Sequence, residues 1–244
     1  MMMNKEIFMK IVMFDLDGTL LPMDQDVFVK AYFSELCKKA APFGYDPEKL
    51  IKGVWAGTGA MVKNNGAKTN EDVFWDTFSG LFGEKALADK KIFNEFYANE
   101  FDRAKTVCGH TPVAAELIRK LRAAGIKVVL ASNPVFPETA QKKRMQWAGV
   151  DPDDFEYITT YENSHYCKPN TKYYAELLEK LGYKAEDCIM VGNDVNEDMC
   201  AAEIGIKTFL LTDCMINAEG KDISSYDRGG FPELEEYLMQ HYDI

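Results

Sequence analysis

Five short runs, nearly all apolar and rich in β-branched residues, constrain this chain most. They are "IFMKIVMFD" (7–15), "IKVVLAS" (126–132), "FEYITT" (155–160), "CIMVGN" (188–193) and "IKTFLL" (206–211). Helical patterns separate them. "TPVAAELIRKLRAAG" opens on Thr-Pro, ends on glycine and places Val113, Leu117 and Leu121 on one face. "PETAQKKRMQWAG" and "TKYYAELLEKLG" also stop at glycines, and a shorter helix, "NEDMCAAEIG", leads into the last run. Strands without polar alternation are buried on both faces, so the pattern predicts an α/β fold. Its parallel sheet is covered by helices on both faces, with active groups at the carboxyl ends of the strands.

The alternation breaks once. From about Met23 to Lys105 there is no strand run, and "QDVFVKAYFSELCKKA", "NEDVFWDTFSGLFG" and "KKIFNEFYANEFDRA" read as amphipathic helices rich in Phe, Tyr and Trp. This predicts a core of residues 1–22 and 107–244 with a helical domain, 23–106, inserted after the first strand. The tail from Asp213 is polar until a last helix at "FPELEEYLMQ".

At 244 residues, 47% apolar and 27% charged, the chain has the composition of a soluble globular protein. No apolar run reaches the roughly 18–20 residues of a membrane span, and "MMMNKEIFMK" lacks the pattern of a secretory signal. The net charge of −11 argues against nucleic-acid or anionic-membrane surfaces, but not against a small anion in a locally positive pocket. Six cysteines form no C-x-x-C pair and no zinc spacing, as expected of reduced, mostly buried thiols in a cytoplasmic protein.

The first run drives straight into two carboxylates, in "KIVMFDLDGTLLP" (10–22). Residues two apart in a strand share a face, about 7 Å apart, so Asp15 and Asp17 can flank one reactive centre. Two adjacent buried carboxylates need compensation. A calcium loop does not fit: counted from Asp15, its glycine and glutamate positions hold Leu20 and Asp26. Other strand ends carry suitable partners. Ser132 and Asn133 can hydrogen-bond a phosphoryl oxygen, although Ser132 alone reads as a cap for "PETAQ". Lys168 precedes Pro169 in a loop where a lone lysine is ordinarily a surface charge. "VGNDVNEDM" supplies Asn193, Asp194 and Asp198, of which Asp194 alone reads as a helix cap. Together they make an anion-handling site in which carboxylates from two strand ends can hold Mg²⁺.

In their order, "DLDGTL", "LASNP", "CKPN" and "VGNDVNEDM" resemble the four signature motifs of the haloacid dehalogenase superfamily of phosphohydrolases. The helical insertion resembles the type-1 cap of its phosphoglycolate phosphatase-like and β-phosphoglucomutase-like members. The resemblance implies a Rossmann-like sheet, here with five assignable strands. It implies Asp15 as nucleophile, Asp17 as acid and then base, Ser132 and Asn133 on the phosphoryl oxygens, and Lys168 stabilising its charge. It also implies Mg²⁺ between Asp15, the Asp17 carbonyl and the fourth motif. There the commonest pattern has aspartate directly after the glycine, whereas Asn193 stands here. Spacing and strand alternation favour Asn193 as metal ligand and charge favours Asp194, and Asp198 reads as a partner of Lys168. An acid at position 17 favours phosphate chemistry over dehalogenation, which has no leaving oxygen to protonate.

These readings give a Mg²⁺-dependent phosphatase of a small phosphorylated metabolite, with no protein, nucleic-acid or membrane partner evident. A phosphomutase using the same aspartyl-phosphate, or a non-catalytic phosphate-sensing module, are the alternatives. Substrate choice is expected in the insertion. There "WAGTGAMVKNNG" (55–66), with three glycines, reads as a break in the helical pattern that could bring Lys63 to substrate or simply connect two helices. His110 and His165 read as structural.

Overall fold

The computed structural model describes residues 11–242; residues 7–10 of the expected first strand lie outside them. Strand β1 (Ile11–Phe14) is followed by five helices: α1 (Gln25–Ala40), α2 (Pro47–Val62), α3 (Asn70–Phe82), the single turn α4 (Lys85–Ala88) and α5 (Lys90–Ala98). A 3-10 segment (Glu100–Val107) then leads to α6 (Pro112–Ala123), β2 (Lys127–Leu130), α7 (Glu138–Trp147), β3 (Tyr157–Ile158), α8 (Lys172–Leu181) and β4 (Cys188–Gly192). The 3-10 segment Met199–Ile204, β5 (Lys207–Leu211), β6 (Asp227–Gly229) and α9 (Phe231–Tyr242) follow.

The sheet order is β3-β2-β1-β4-β5-β6, parallel throughout. The period of two is visible in β1. Val12 and Phe14 join the core that holds Leu117 and Leu121 of α6 and Leu234 of α9, whereas Ile11 and Met13 join the core under Tyr174 and Leu177 of α8. Helices therefore cover both faces. The chain leaves β1 toward β2 on one side and returns to β4 on the other, so a crevice opens at the carboxyl end of β1, where ligands of such sheets bind.

The helices between β1 and β2 connect to the sheet through two adjacent passages. Met23 bridges Cys108, and the Gly109 amide donates to the Pro22 carbonyl at 2.7 Å. Local chemistry sets the helix ends: the Asp24 side chain caps α1 by accepting from the Val27 amide at 3.0 Å, with Lys38 and Lys39 in the last turn. Aromatic contacts tie these helices to the sheet, including Phe101 against Trp147 at 4.9 Å and Tyr32 against Phe136 at 5.6 Å between ring centroids.

Several sequence expectations change. Helix α2 runs through 55–62, because Gly57 lets it approach α3: a Cβ there would meet the Phe74 ring at 2.5 Å. Residues 199–204 form a 3-10 segment, β3 keeps only two residues, and Val113 is exposed while Ala114 and Ile118 join Leu117 and Leu121 inside. A sixth strand, β6, was not foreseen; it lies at the sheet edge and is largely exposed. All six cysteines are free, but only Cys167 and Cys188 are buried. No described helix is long and apolar enough to cross a membrane.

Candidate active site

Asp15 follows β1 directly, and its amide still pairs with the Val191 carbonyl at 2.9 Å, so the sheet fixes where its side chain emerges. Leu16 is wholly buried in the core between the two carboxylates. The chain then folds back tightly: the Leu21 amide donates to the Leu16 carbonyl and the Gly18 amide to the Leu21 carbonyl, both at 2.8 Å. Gly18 sits at φ +89°, and a Cβ on it would lie 2.2 Å from Asn193 Nδ2. Glycine is required there both by conformation and by the contact with the end of β4.

Lys168 supplies the compensation that Asp15 needs. It is completely buried, and its ammonium donates to Asp15 Oδ1 at 2.9 Å and Asp198 Oδ1 at 2.6 Å. Burial alone would lower its pKa, but Asp15 and Asp198 outweigh that and hold it well above the usual lysine value. Burial pushes both carboxyls up, and Lys168 pulls them back only in part. Asp198 is fully committed, because its Oδ2 accepts from the Asp194 amide at 2.9 Å. The other oxygen of Asp15 has no protein donor among the described residues, and Asp15 lines a cavity of about 290 Å³.

Asp17 has a separate partner, Arg144 of α7, whose Nη1 donates to Asp17 Oδ2. Arg144 is itself buried, with its guanidinium carbon 4.2 Å from the Phe136 ring centroid. Burial raises the Asp17 carboxyl above its ordinary value, Arg144 offsets part of the rise, and Asp17 Oδ1 is buried without a hydrogen bond. Sequence reading missed Arg144. Its signal is position: it shares the buried face of α7 with Ala140, Gln141 and Met145.

At the end of β4 the two competing residues do different things. Asn193 is buried, accepts from Thr19 Oγ1 at 2.9 Å and donates to the Cys214 carbonyl at 2.7 Å, so it ties the β1 turn to the β5–β6 connection. Asp194 Oδ1 accepts from the Asn196 and Glu197 amides at 2.7 and 2.9 Å, as a turn cap. Both line the cavity. So does Glu197, also missed in the sequence. Burial raises its carboxyl, Lys168 pulls it down, and neighbouring Asp198, Asp194 and Asp15 leave it pushed up to about 8.

Ser132 and Asn133 line the same cavity, and Ser132 does not cap α7, whose cap position is Pro137. Asn133 Nδ2 donates to Glu197 Oε2 at 3.0 Å, with its Oδ1 buried and unpartnered. Lys63 is exposed at the end of α2 and does not line the cavity. His110 is exposed, and His165 bonds Glu176 at 2.7 Å; neither lines it.

Carboxylates at the ends of two central strands thus meet a buried lysine in the crevice of a doubly covered parallel sheet. The profile of the haloacid dehalogenase-like hydrolase family matches residues 9–205, and the chain belongs to that family. It is 26% identical over 206 residues to the phosphoglycolate phosphatase of Vibrio parahaemolyticus, covering 83% of each chain. Its fold resembles a HAD phosphatase from Thermococcus onnurineus (TM-score 0.57, 19% identity, 94% of this chain and 98% of that one). It also resembles a 2-haloacid dehalogenase from Pseudomonas syringae (TM-score 0.59, 17% identity, 95% and 99%). The fold therefore does not choose between carbon–halogen and phosphate chemistry; the site residues must.

Proposed function

We propose that the protein is a Mg²⁺-dependent cytoplasmic phosphatase that hydrolyses a small phosphorylated metabolite through an aspartyl-phosphate on Asp15. The observation carrying this reading is the buried Asp15–Lys168–Asp198 chain beside the raised carboxyl of Asp17. Lys168 holds Asp15 Oδ1, leaving the second oxygen to attack phosphorus. The bond to the ester oxygen breaks, and Asp17 delivers its proton to that oxygen. Asp17 then takes a proton from the water that attacks the phosphoryl group, returning Asp15 and inorganic phosphate. A halide leaving group would need no such proton, so Asp17 supports phosphate esters.

The residues fit Mg²⁺. Even with Glu197 protonated at neutral pH, Asp15, Asp17, Asp194 and Asp198 meet only Lys168 and Arg144 as cations among the described residues, which leaves acidic groups around the cavity in excess. No three His, Cys, Asp or Glu side chains form a ready cage among the described residues, which suits an ion that takes one or two carboxylates plus carbonyl, water and phosphate oxygens. Asp15, the Asp17 carbonyl and either Asn193 or Asp194 would hold it. It would supply positive charge against the phosphoryl oxygens. Ser132 and Asn133 orient those oxygens, and the helical insertion of residues 23–106 acts as a cap that excludes water.

Incubation with a phosphate-ester panel including p-nitrophenyl phosphate tests this. Turnover is expected with Mg²⁺ and is lost with EDTA. Asp15→Asn lowers kcat at least about 1,000-fold while the protein stays folded. No turnover by folded, Mg²⁺-loaded protein would sink the reading. Conversion of a hexose 1-phosphate to its 6-phosphate without phosphate release would make it a mutase.

A further inference from the structure

The cavity has two unlike halves. Carboxylates and amides from the sheet line one; the other is walled by the inserted helices and is strongly aromatic, with Phe33, Trp55, Phe74 and Tyr97 among its residues. No Lys, Arg or His lines the cavity among the described residues. The nearest buried cations are already engaged, Lys168 by Asp15 and Asp198 and Arg144 by Asp17. The hydroxyls of this wall are occupied too. Those of Tyr32 and Tyr97 bond each other at 2.8 Å, and across the cavity the hydroxyl of Tyr161, in the loop after β3, faces the Trp75 indole nitrogen at 3.5 Å. Gln25 and Thr58 are the remaining polar side chains of the helical wall.

We propose that the natural ester carries an uncharged, largely apolar leaving group, with an aromatic ring or a branched alkyl body, seated against Phe33, Trp55 and Phe74. This rests on the phosphatase reading and adds its substrate class. A carboxylate on the leaving group, as in phosphoglycolate, would lose its water against aromatic carbon with no cation to replace it. A ring gains contact area and edge or face packing there. The volume is at the small end of ligand sites, which start at roughly 300 Å³, and suits one ring rather than a nucleotide.

Benzyl phosphate and 2-phosphoglycolate make the discriminating pair, because both leave as alkoxides. With Mg²⁺ present, kcat/KM for benzyl phosphate is expected to be at least about 100-fold higher. Trp55 is half-exposed at the rim, so Trp55→Ala keeps the fold and raises KM for benzyl phosphate by about fivefold with little change in kcat. Thr58→Arg places a cation in the wall and shifts the ratio toward 2-phosphoglycolate by about tenfold or more. As a readout without turnover, benzylphosphonate is expected to perturb tryptophan fluorescence of the Asp15→Asn protein, and phosphonoacetate is not. If 2-phosphoglycolate is hydrolysed as well as benzyl phosphate, the apolar leaving group is wrong while the phosphatase stands. If no phosphate ester on the panel is hydrolysed, both fall together.

Discussion

The sheet end and the helical wall of one cavity are built on opposite principles. At the sheet end the key bonds join residues far apart in the chain, Lys168 to Asp15 across 153 positions and Thr19 to Asn193 across 174. On the helical wall Phe33 packs at a tilt on Trp55, and Phe74 meets Trp75 edge to face and stacks on Phe78, with the Tyr32 and Tyr97 hydroxyls turned on each other. The first region has directional bonds and fixed charge, so it can hold one geometry for one reaction. The second has non-directional contacts, so it can change its occupant without disturbing the chemistry.

If the sheet end is an interlocked charge network, removing its centre has the largest effect. Lys168→Met leaves Asp15 and Asp198 buried and uncompensated. The expected loss is about 3–5 kcal/mol of stability together with activity, read from urea unfolding at neutral pH. A variant as stable as the parent would show that the two carboxyls are held neutral and that the lysine is dispensable to the fold.

Arg144 is the next test, at the seam between the two regions. It bonds Asp17 and lies over Phe136 of the aromatic layer. Arg144→Met is expected to cost about 2–3 kcal/mol, less than Lys168 because Asp17 is partly exposed. Adding Asp17→Asn should recover part of the loss, since the stranded charge goes too. No recovery in that double variant would assign the loss to packing against Phe136.

The same contrast explains what was legible in the sequence. Asp15, Asp17, Ser132 and Lys168 stand at strand ends or in a turn beside them; singly Ser132 reads as a cap and Lys168 as a surface charge, and it is the order of the four motifs and their family resemblance that nominate them. Arg144 was not nominated, since its partner lies 127 positions away and an arginine within a helix ordinarily faces water. Glu197 hid between Asn196 and Asp198 in "NEDMCAAEIG", which reads as the start of a short helix. The three glycines of 55–66 read as a break in the helical pattern, but tertiary packing of Gly57 against Phe74 overrides that propensity. Strand β6, "DRG", has no apolar pattern because it is an exposed edge.

The helical wall is expected to yield more gently. Gly57→Ala puts a methyl 2.5 Å from Phe74 Cδ2. Alanine favours the helix by about 0.5–1 kcal/mol, and overpacking costs about 1–3 kcal/mol, so the net loss is about 1 kcal/mol. Phe74 must move to admit the methyl, and because its ring lines the cavity, KM changes more than kcat. A gain in stability would mean that α2 and α3 separate freely and that the wall is not a packed surface.

The smallest effect is expected at a half-buried carboxylate outside the cavity whose partners stand nearer the surface. Glu176 accepts from His165 and Lys180, each at 2.7 Å, on the outer side of α8. Burial would raise its carboxyl, but those hydrogen bonds outweigh it and hold the carboxyl below the ordinary value of 4.5. A lowered carboxyl stabilises the fold fully above pH 4.5 and loses that contribution as pH falls through its folded value. Glu176→Gln should therefore cost only about 0.5 kcal/mol at pH 7 and make the loss of stability below pH 4.5 shallower. If it costs as much as Lys168→Met, burial is not what separates the reactive carboxylates from ordinary ones, and the contrast between the cavity's charged end and the rest of the molecule fails.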